Sequence, residues 1–302
     1  MNFLKWLFKF RPVIQTIEVP KRIDSECVNT DCTCDSCRFT SKEYRLLTPE
    51  ENEKAIIQIF EILLDKSIPF SGAHRKKQWE KGWAENLESG NNTPKYFGKY
   101  PIQRLNGKFV CGLRKGYEQD MLYSIVDDLA KKYLKDQKDV YEFGCGTGHN
   151  LWRVKDLNPD AKLHGFDWTI SSNKMIEAQG FHAENFDFFK PSKVKLAPNA
   201  GVFTVAALEQ VGTHFKPFVN YLIKNKPSVV VHIEPIPEML DSSKLLDYLS
   251  IQYMHKRNYL RGYADYLEEL EKKGKIKILE KHRSGIGSYL IDGYSVIVWK
   301  PL

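Results

Sequence analysis

From Val140 onward, short apolar runs alternate with helical segments, and this rhythm constrains the fold more than any other feature. The runs are VYEF (140–143), KLHGFDW (162–168), HAENFDFF (182–189), VFTVAAL (202–208) and SVVVHIE (228–234). Between them lie NLWRVKDL, SSNKMIEAQ and HFKPFVNYLIKNK, each with helical spacing. Strands separated by helix-length segments cannot close tight hairpins, so they return through crossovers and pair in parallel, with helices on both faces. A long helical stretch follows over 242–273. Two runs then close the sequence, KIKILEKHR and YSVIVWK, joined by SGIGSYLIDG and close enough to pair antiparallel.

Upstream the pattern differs. Residues 48–65 read as a helix with Thr48 as cap, Pro49 in the first turn and an Ile/Leu/Phe stripe. A polar stretch through Asn91-Asn92-Thr93-Pro94 ends this region, and Tyr100–Val110 reads as a short hairpin or an extended arm, turning at Asn106-Gly107. Residues 117–134 form another amphipathic helix. The expected organisation is an extension with a cysteine cluster (1–40), a mainly helical lid region (41–116) and an α/β domain (117–302). Apolar residues at 42% and charged residues at 27% supply a real core. No apolar run is long enough to span a bilayer. The start, MNFLKWLFKFRP, is too short and too charged for a secretory h-region, so a cytoplasmic location is expected. Its Phe3, Trp6, Leu7 and Phe10 share a helical face, which suits either a membrane surface or packing against the chain's own domain. The net charge of +7 is spread along the chain, so order alone marks no nucleic-acid stripe.

The most informative motif is Glu142-Phe-Gly144-Cys145-Gly146-Thr-Gly148, at the end of the first strand of the alternating series and the start of a helix. Glycines there permit a tight turn and let a ligand reach peptide N–H groups. The G-x-G-x-G spacing lacks the two-residue gap of the pyrophosphate fingerprint, and Glu142 would repel a diphosphate while attracting an amino group or sulfonium. A ligand-independent βα turn is the bland alternative. On these residues the sequence resembles the class I S-adenosylmethionine-dependent methyltransferase family, over about residues 117–302. The resemblance implies a Rossmann-like, seven-stranded, mostly parallel sheet with a reversed last strand. It implies that Gly144, Cys145, Gly146 and Gly148 wrap the methionine part of S-adenosylmethionine. It also implies that Asp167, 19 residues after Gly148 in LHGFDW, holds the ribose hydroxyls, with Trp168 beside it. A carboxylate accepts well from two vicinal hydroxyls. By the same resemblance Asp187 sits near the adenine amine, with Asn185 or Phe186 as substitutes, and Leu208 belongs to the cofactor wall. Asp187 could equally be a solvated loop carboxylate.

Ligands in open α/β sheets lie beyond the carboxyl ends of the strands. Those of the fourth and fifth strands of the series carry Glu209, His214 and Glu234. His214 is the base candidate, because imidazole titrates near neutral pH. Glu209 and Glu234 could bind an acceptor hydroxyl, assist deprotonation or share a divalent cation with His214. They could also be structural, Glu209 as a helix cap and Glu234 as an anchor before Pro235. His232 reads as a core histidine. Arg257-Asn-Tyr-Leu-Arg261-Gly-Tyr263 could read an anionic or sugar acceptor, or be a surface helix with snorkelling arginines. Tyr96, Tyr100, Arg104 and Tyr117 are expected in the lid. The fourth strand's end lacks the D/N-P-P-Y/F motif and the proline–cysteine nucleophile of the two DNA-base chemistries, which disfavours both.

Cys27, Cys32, Cys34 and Cys37 fall as C-x4-C-x-C-x2-C. In a reducing compartment this density suggests a structural zinc site, although the spacing is irregular. Disulfides, free thiols or an iron–sulfur cluster are alternatives. The expected function is methyl transfer to a hydroxyl or amino group of a small molecule or sugar. RNA methylation and a non-catalytic, methyltransferase-like scaffold are the rivals.

Overall fold

A computed structural model describes residues 44–191 and 194–302. The cysteine cluster and the residue 1–11 segment lie outside these. The central sheet is built from β4 (Asp139–Phe143), β5 (Lys162–Asp167), β6 (His182–Asn185), β7 (Gly201–Val205), β8 (Val229–Glu234), β9 (Ile276–Arg283) and β11 (Ser295–Pro301). Their spatial order is β6-β5-β4-β7-β8-β11-β9. The neighbours from β6 to β8 are parallel, and β11 runs antiparallel to both β8 and β9. This is the seven-stranded sheet with a reversed last strand expected from the sequence.

Alternation along the strands sends successive side chains to opposite faces, and both faces are dry. Val140, Phe203, Val231 and Val298 pack into one core, which receives α3 (Tyr117–Leu129) and α4 (His149–Leu157). Tyr141, Val202, Val230 and Trp299 enter the other, filled from above by α6 (Lys216–Asn225) and α8 (Tyr263–Lys272). The expected helix over 242–273 is broken. It forms α7 (Leu245–Arg257) and α8: Asn258 (φ 53°) takes the left-handed conformation that ends α7, and Gly262 (φ 73°) turns the chain again just before α8 begins.

The upstream region contains α1 (Pro49–Leu64) and α2 (Lys76–Ser89). Helix α1 starts with a complete capping box: Thr48 Oγ1 accepts from Glu51 N–H, and the Glu51 carboxylate accepts from Thr48 N–H. A second sheet joins β1 (Tyr44–Leu46), β2 (Ile102–Leu105), β3 (Lys108–Gly112) and β10 (Ile286–Ser288) in the order β1-β3-β2-β10. The β2–β3 hairpin turns at Asn106 and Gly107, both at positive φ as two-residue turns favour. Strand β10 comes from the glycine-rich link between β9 and β11, so the C-terminal part of the chain supplies an edge to the N-terminal sheet.

Arg104 of β2 secures this junction. It is 1% exposed, and its guanidinium donates to the carbonyls of Tyr289, Leu246 and Leu290 and to Ser250 Oγ. These partners belong to α7 and to the strap after β10. Replacing Arg104 with Met takes the side-chain donor from the buried Tyr289 and Leu290 carbonyls, while Leu246 keeps Ser250 Oγ, and a loss of about 2–4 kcal/mol is expected from the urea midpoint. An unchanged midpoint would show the junction to be held elsewhere.

Candidate active site

The carboxyl ends of β4, β5 and β7 open into one cleft with a void of about 710 Å³, counting the part open to solvent. The turn after β4 forms its inner wall. Gly144, Gly146 and Gly148 have φ of 73°, 53° and 77°, values that side chains adopt only at a cost. What crowds them is protein. A Cβ on Gly144 would strike Ala207, one on Gly148 would strike Ile176, and one on Gly146 would lie 2.8 Å from Trp83 Cζ2. The glycines therefore let the loop nest against β7, α5 (Ile170–Ala178) and the upstream helix α2, as well as shaping the cleft. Gly144, Cys145 and Gly146 line the cleft, whereas Gly148 lies behind it as the residue preceding α4.

Asp167 stands on the same wall at the end of β5 and is 5% exposed. One oxygen accepts from Thr169 N–H (3.0 Å) and Thr169 Oγ1 (2.7 Å), and the other accepts from Gly146 N–H (3.2 Å). The acid thus fixes the glycine loop from the end of β5. Trp168 lines the cleft, with its ring stacked 6.2 Å from Phe189 at an interplanar angle of 24°. Asp187 is placed differently from the expected adenine contact. Its Oδ1 accepts from Phe189 N–H at 2.9 Å, closing a local turn, and the cleft is faced instead by Phe186, Phe188 and Phe189. Leu208 is fully buried in the core beneath α6, away from the cleft surface.

Polar groups on the cleft wall carry unmet hydrogen-bonding capacity. Asn150 Nδ2 donates to Glu142 Oε1 at 2.8 Å. Asn150 Oδ1, Thr147 Oγ1 and Glu142 Oε2 are buried without a partner. Asn150 and Thr147 face the cleft, and Glu142 lies behind Asn150. Burial pushes the Glu142 carboxyl up to about 8, so it holds its proton near neutral pH unless a cation approaches. This modifies the simple picture of a standing negative charge at that position. His149, also on the wall, is held between Tyr123 Oη (Nδ1, 3.1 Å) and Tyr96 Oη (Nε2, 3.4 Å). Burial lowers its pKa to about 3, so it is neutral.

Of the residues proposed from sequence for chemistry, Glu209 and Glu234 lie together at the buried loop after β7, whereas His214 stands apart from them. Glu234, fully buried, accepts from the backbone N–H groups of Ala207, Leu208 and Glu209 at 3.0–3.2 Å. Its carboxylate braces the loop after β7, where Ala206 sits at φ 46°. This is the anchoring reading of Glu234. Glu209 is 7% exposed and accepts from Gln210 Nε2 at 2.7 Å, and Gln210 reaches the cleft. His214 is exposed, with its ring 6.0 Å from that of Phe189 and outside the cleft wall. His232 is a core residue, bonded through Nδ1 to Thr204 Oγ1. Among the described residues no group of three or more His, Cys, Asp or Glu can hold a metal, so Glu209, Glu234 and His214 do not assemble as a cation site. No described helix is long and apolar enough to cross a membrane.

The outer wall comes from upstream: Trp79 and Trp83 of α2, Pro94 and Tyr96. The two tryptophans stack at 5.7 Å, one helical turn apart. Helix α2 is pinned by Glu80, whose carboxylate accepts from Ile170 N–H (2.7 Å), Ser171 N–H (3.1 Å) and Ser171 Oγ (2.6 Å). It caps α5 from another element, since Thr169 makes no side-chain cap there. Of the four residues expected over the site, Tyr96 is on the wall, while Tyr100, Arg104 and Tyr117 pack elsewhere. The i, i+4 tryptophan pair was the available sequence signal for the residues that were missed.

Glu142 gives a pH prediction. Its folded pKa lies above the ordinary value of 4.5, so the native state binds more protons and stability falls as pH rises through about 8. Glu209, pushed up to about 8, and Glu234 and Glu118, pushed up to about 7 by burial, titrate in the same range, so the difference between wild type and variant is what reports Glu142. Glu142→Gln, which cannot ionise, is expected to flatten the decline in unfolding free energy by up to about 1.4 kcal/mol per pH unit. An identical slope in both proteins would mean that Glu142 is not the titrating group.

No protein-family model matches the sequence, and no curated protein matches it. Solved structures do match in fold. The [4+2]-cyclase SpnF superposes with a TM-score of 0.50 at 12% identity, covering 78% of this chain and 99% of that one. The N-methyltransferase NodS from Bradyrhizobium japonicum WM9, solved with S-adenosyl-L-homocysteine, gives 0.47 at 10% identity over 73% and 98%. Human N-acetylserotonin methyltransferase, solved with S-adenosylmethionine, gives 0.44 at 15% identity, and this chain spans 55% of its length. Together with the strand order and the reversed final strand, the SpnF superposition identifies the architecture: this chain has the fold of the class I S-adenosylmethionine-dependent methyltransferases.

Proposed function

We propose that the chain is an S-adenosylmethionine-dependent methyltransferase acting on a hydroxyl or amino group of a small molecule, with residues 44–116 serving as the lid of a domain formed by 117–302. The fold alone does not carry this reading, because one of its matches is described as a cyclase. What carries it is a single wall of the cleft. There the Asp167 carboxyl group shares one surface with Asn150 Oδ1 and Thr147 Oγ1, buried polar atoms that the protein leaves unpaired. Buried polar groups are normally satisfied, so a set of them on a concave surface fits a polar ligand. Hydroxyls suit the carboxylate, and a charged amino group suits the two oxygens with Glu142 behind them.

S-adenosylmethionine, when bound, supplies an already activated methyl carbon, so the protein's task is positioning and exclusion of water. Asp167 grips the sugar, and Trp168 and Phe189 offer ring faces to the base. Trp79, Trp83 and Tyr96 roof the cleft, with aromatic faces that attract a sulfonium. Gln210, held by Ser71 Oγ at 2.7 Å and by Glu209, reaches the cleft from the loop after β7 and is placed to orient the acceptor. His214, exposed outside the wall, is assigned no proton transfer.

Calorimetry with S-adenosylmethionine tests the pocket. Asp167→Ala is expected to weaken binding by roughly 1.5–3 kcal/mol, about ten- to a hundredfold. Binding should also change tryptophan fluorescence, since Trp79, Trp83 and Trp168 all line the cleft. No binding by the wild-type protein would end the assignment. Binding without S-adenosylhomocysteine formation across acceptor pools would favour the scaffold reading.

A further inference from the structure

Helix α1 is apolar on two sides. With successive residues turned by about 100°, Ala55 and Ile59 face inward with the half-buried Ile56, Ile62 and Leu63, and join the core shared with α7, Tyr289 and Leu290. Ile57, Phe60 and Leu64 recur at i, i+3 and i+7 on the opposite side and are 57%, 44% and 78% exposed. The same outward sector carries three exposed glutamates, Glu50, Glu53 and Glu61, against one exposed cation, Lys54. Packing of the inner side accounts for the helix, whereas the described residues leave the outer stripe largely open.

Charge, size and reach narrow what can cover that stripe. Three side chains fall far short of the roughly 1,000 Å² that a stable dimer needs. An anionic membrane surface would be repelled by the glutamates beside them. A short apolar segment flanked by cations fits, and this chain carries one. Phe3, Trp6, Leu7 and Phe10 recur at i, i+3, i+4 and i+7, interleaved with Lys5, Lys9 and Arg11, so the spacing matches that of the stripe and the charge is opposite. The described chain begins at Tyr44 in β1, and only Leu47 and Thr48 separate β1 from α1. Residues 12–43 thus tether the segment to a point beside the start of α1. A coiled chain of that length covers roughly 30 Å, against about 24 Å for the 16 residues of α1. Such a tether gives an effective concentration of about a millimolar, so a contact too weak to join separate molecules is still occupied.

We propose that residues 3–11 dock on the outer stripe of α1, with Phe3, Trp6 and Phe10 covering Ile57, Phe60 and Leu64 while Lys5, Lys9 and Arg11 meet the glutamates. The inference is independent of the methyltransferase reading. Hydrogen–deuterium exchange of the full chain, read by mass spectrometry over residues 4–11, tests it. In the wild-type protein these amides are expected to exchange at least about tenfold more slowly than in a free peptide of the same sequence, at every protein concentration. Ile57→Gln with Leu64→Gln should return them to the peptide rate, and both positions are exposed, so the core is untouched. Glu53→Lys with Glu61→Lys should do the same, and adding Lys5→Glu with Lys9→Glu should restore the protection. Exchange at the peptide rate in the wild-type protein overturns the proposal, as does protection that both α1 pairs leave unchanged. Protection that rises with protein concentration assigns the stripe to a second copy, and protection seen only with phosphatidylserine vesicles assigns the segment to lipid; either result also overturns it.

Discussion

One buried carboxylate holds the cleft open. Glu234, at the end of β8, receives the N–H groups of Ala207, Leu208 and Glu209 and so captures the start of the loop after β7. Without that acceptor, three adjacent donors would be stranded where water does not reach. With it, Ala206 tolerates a positive φ, Gly144 nests against Ala207, and Gln210 is carried to the cleft surface. The glycine loop is braced in the same way from the other side, by the bond from Gly146 N–H to Asp167. Two carboxylates on two strands therefore set the spacing between the walls.

The third wall is borrowed from upstream. Glu80 supplies the helix cap that α5 lacks, and Trp83 lies directly over Gly146. These contacts couple α2 to the glycine loop and to α5, so any separation of α2 from them also removes the cap from α5. Strand β10 strengthens the attachment, because a strap from the end of the chain completes the sheet that the upstream strands begin. The upstream strands and the α/β sheet are consequently sewn together through Arg104 and the strap.

Sequence alone determined what depends on neighbours in the chain. Strand and helix alternation, the capping box at Thr48, the Asn106-Gly107 turn, the glycine loop and Asp167 at the end of β5 are all local patterns, and each is present in the structure. The turn closed by Asp187 was equally local, yet a carboxylate two residues before the N–H it accepts looks the same as one left for a ligand. Tertiary structure decided the rest. Whether Glu234 serves chemistry or backbone depends on three N–H groups about 26 residues earlier, and the partner of Gly146 is a tryptophan 63 positions upstream. Period and spacing carry no information about such distant pairs, because the packing of separate elements creates them only when the chain has folded.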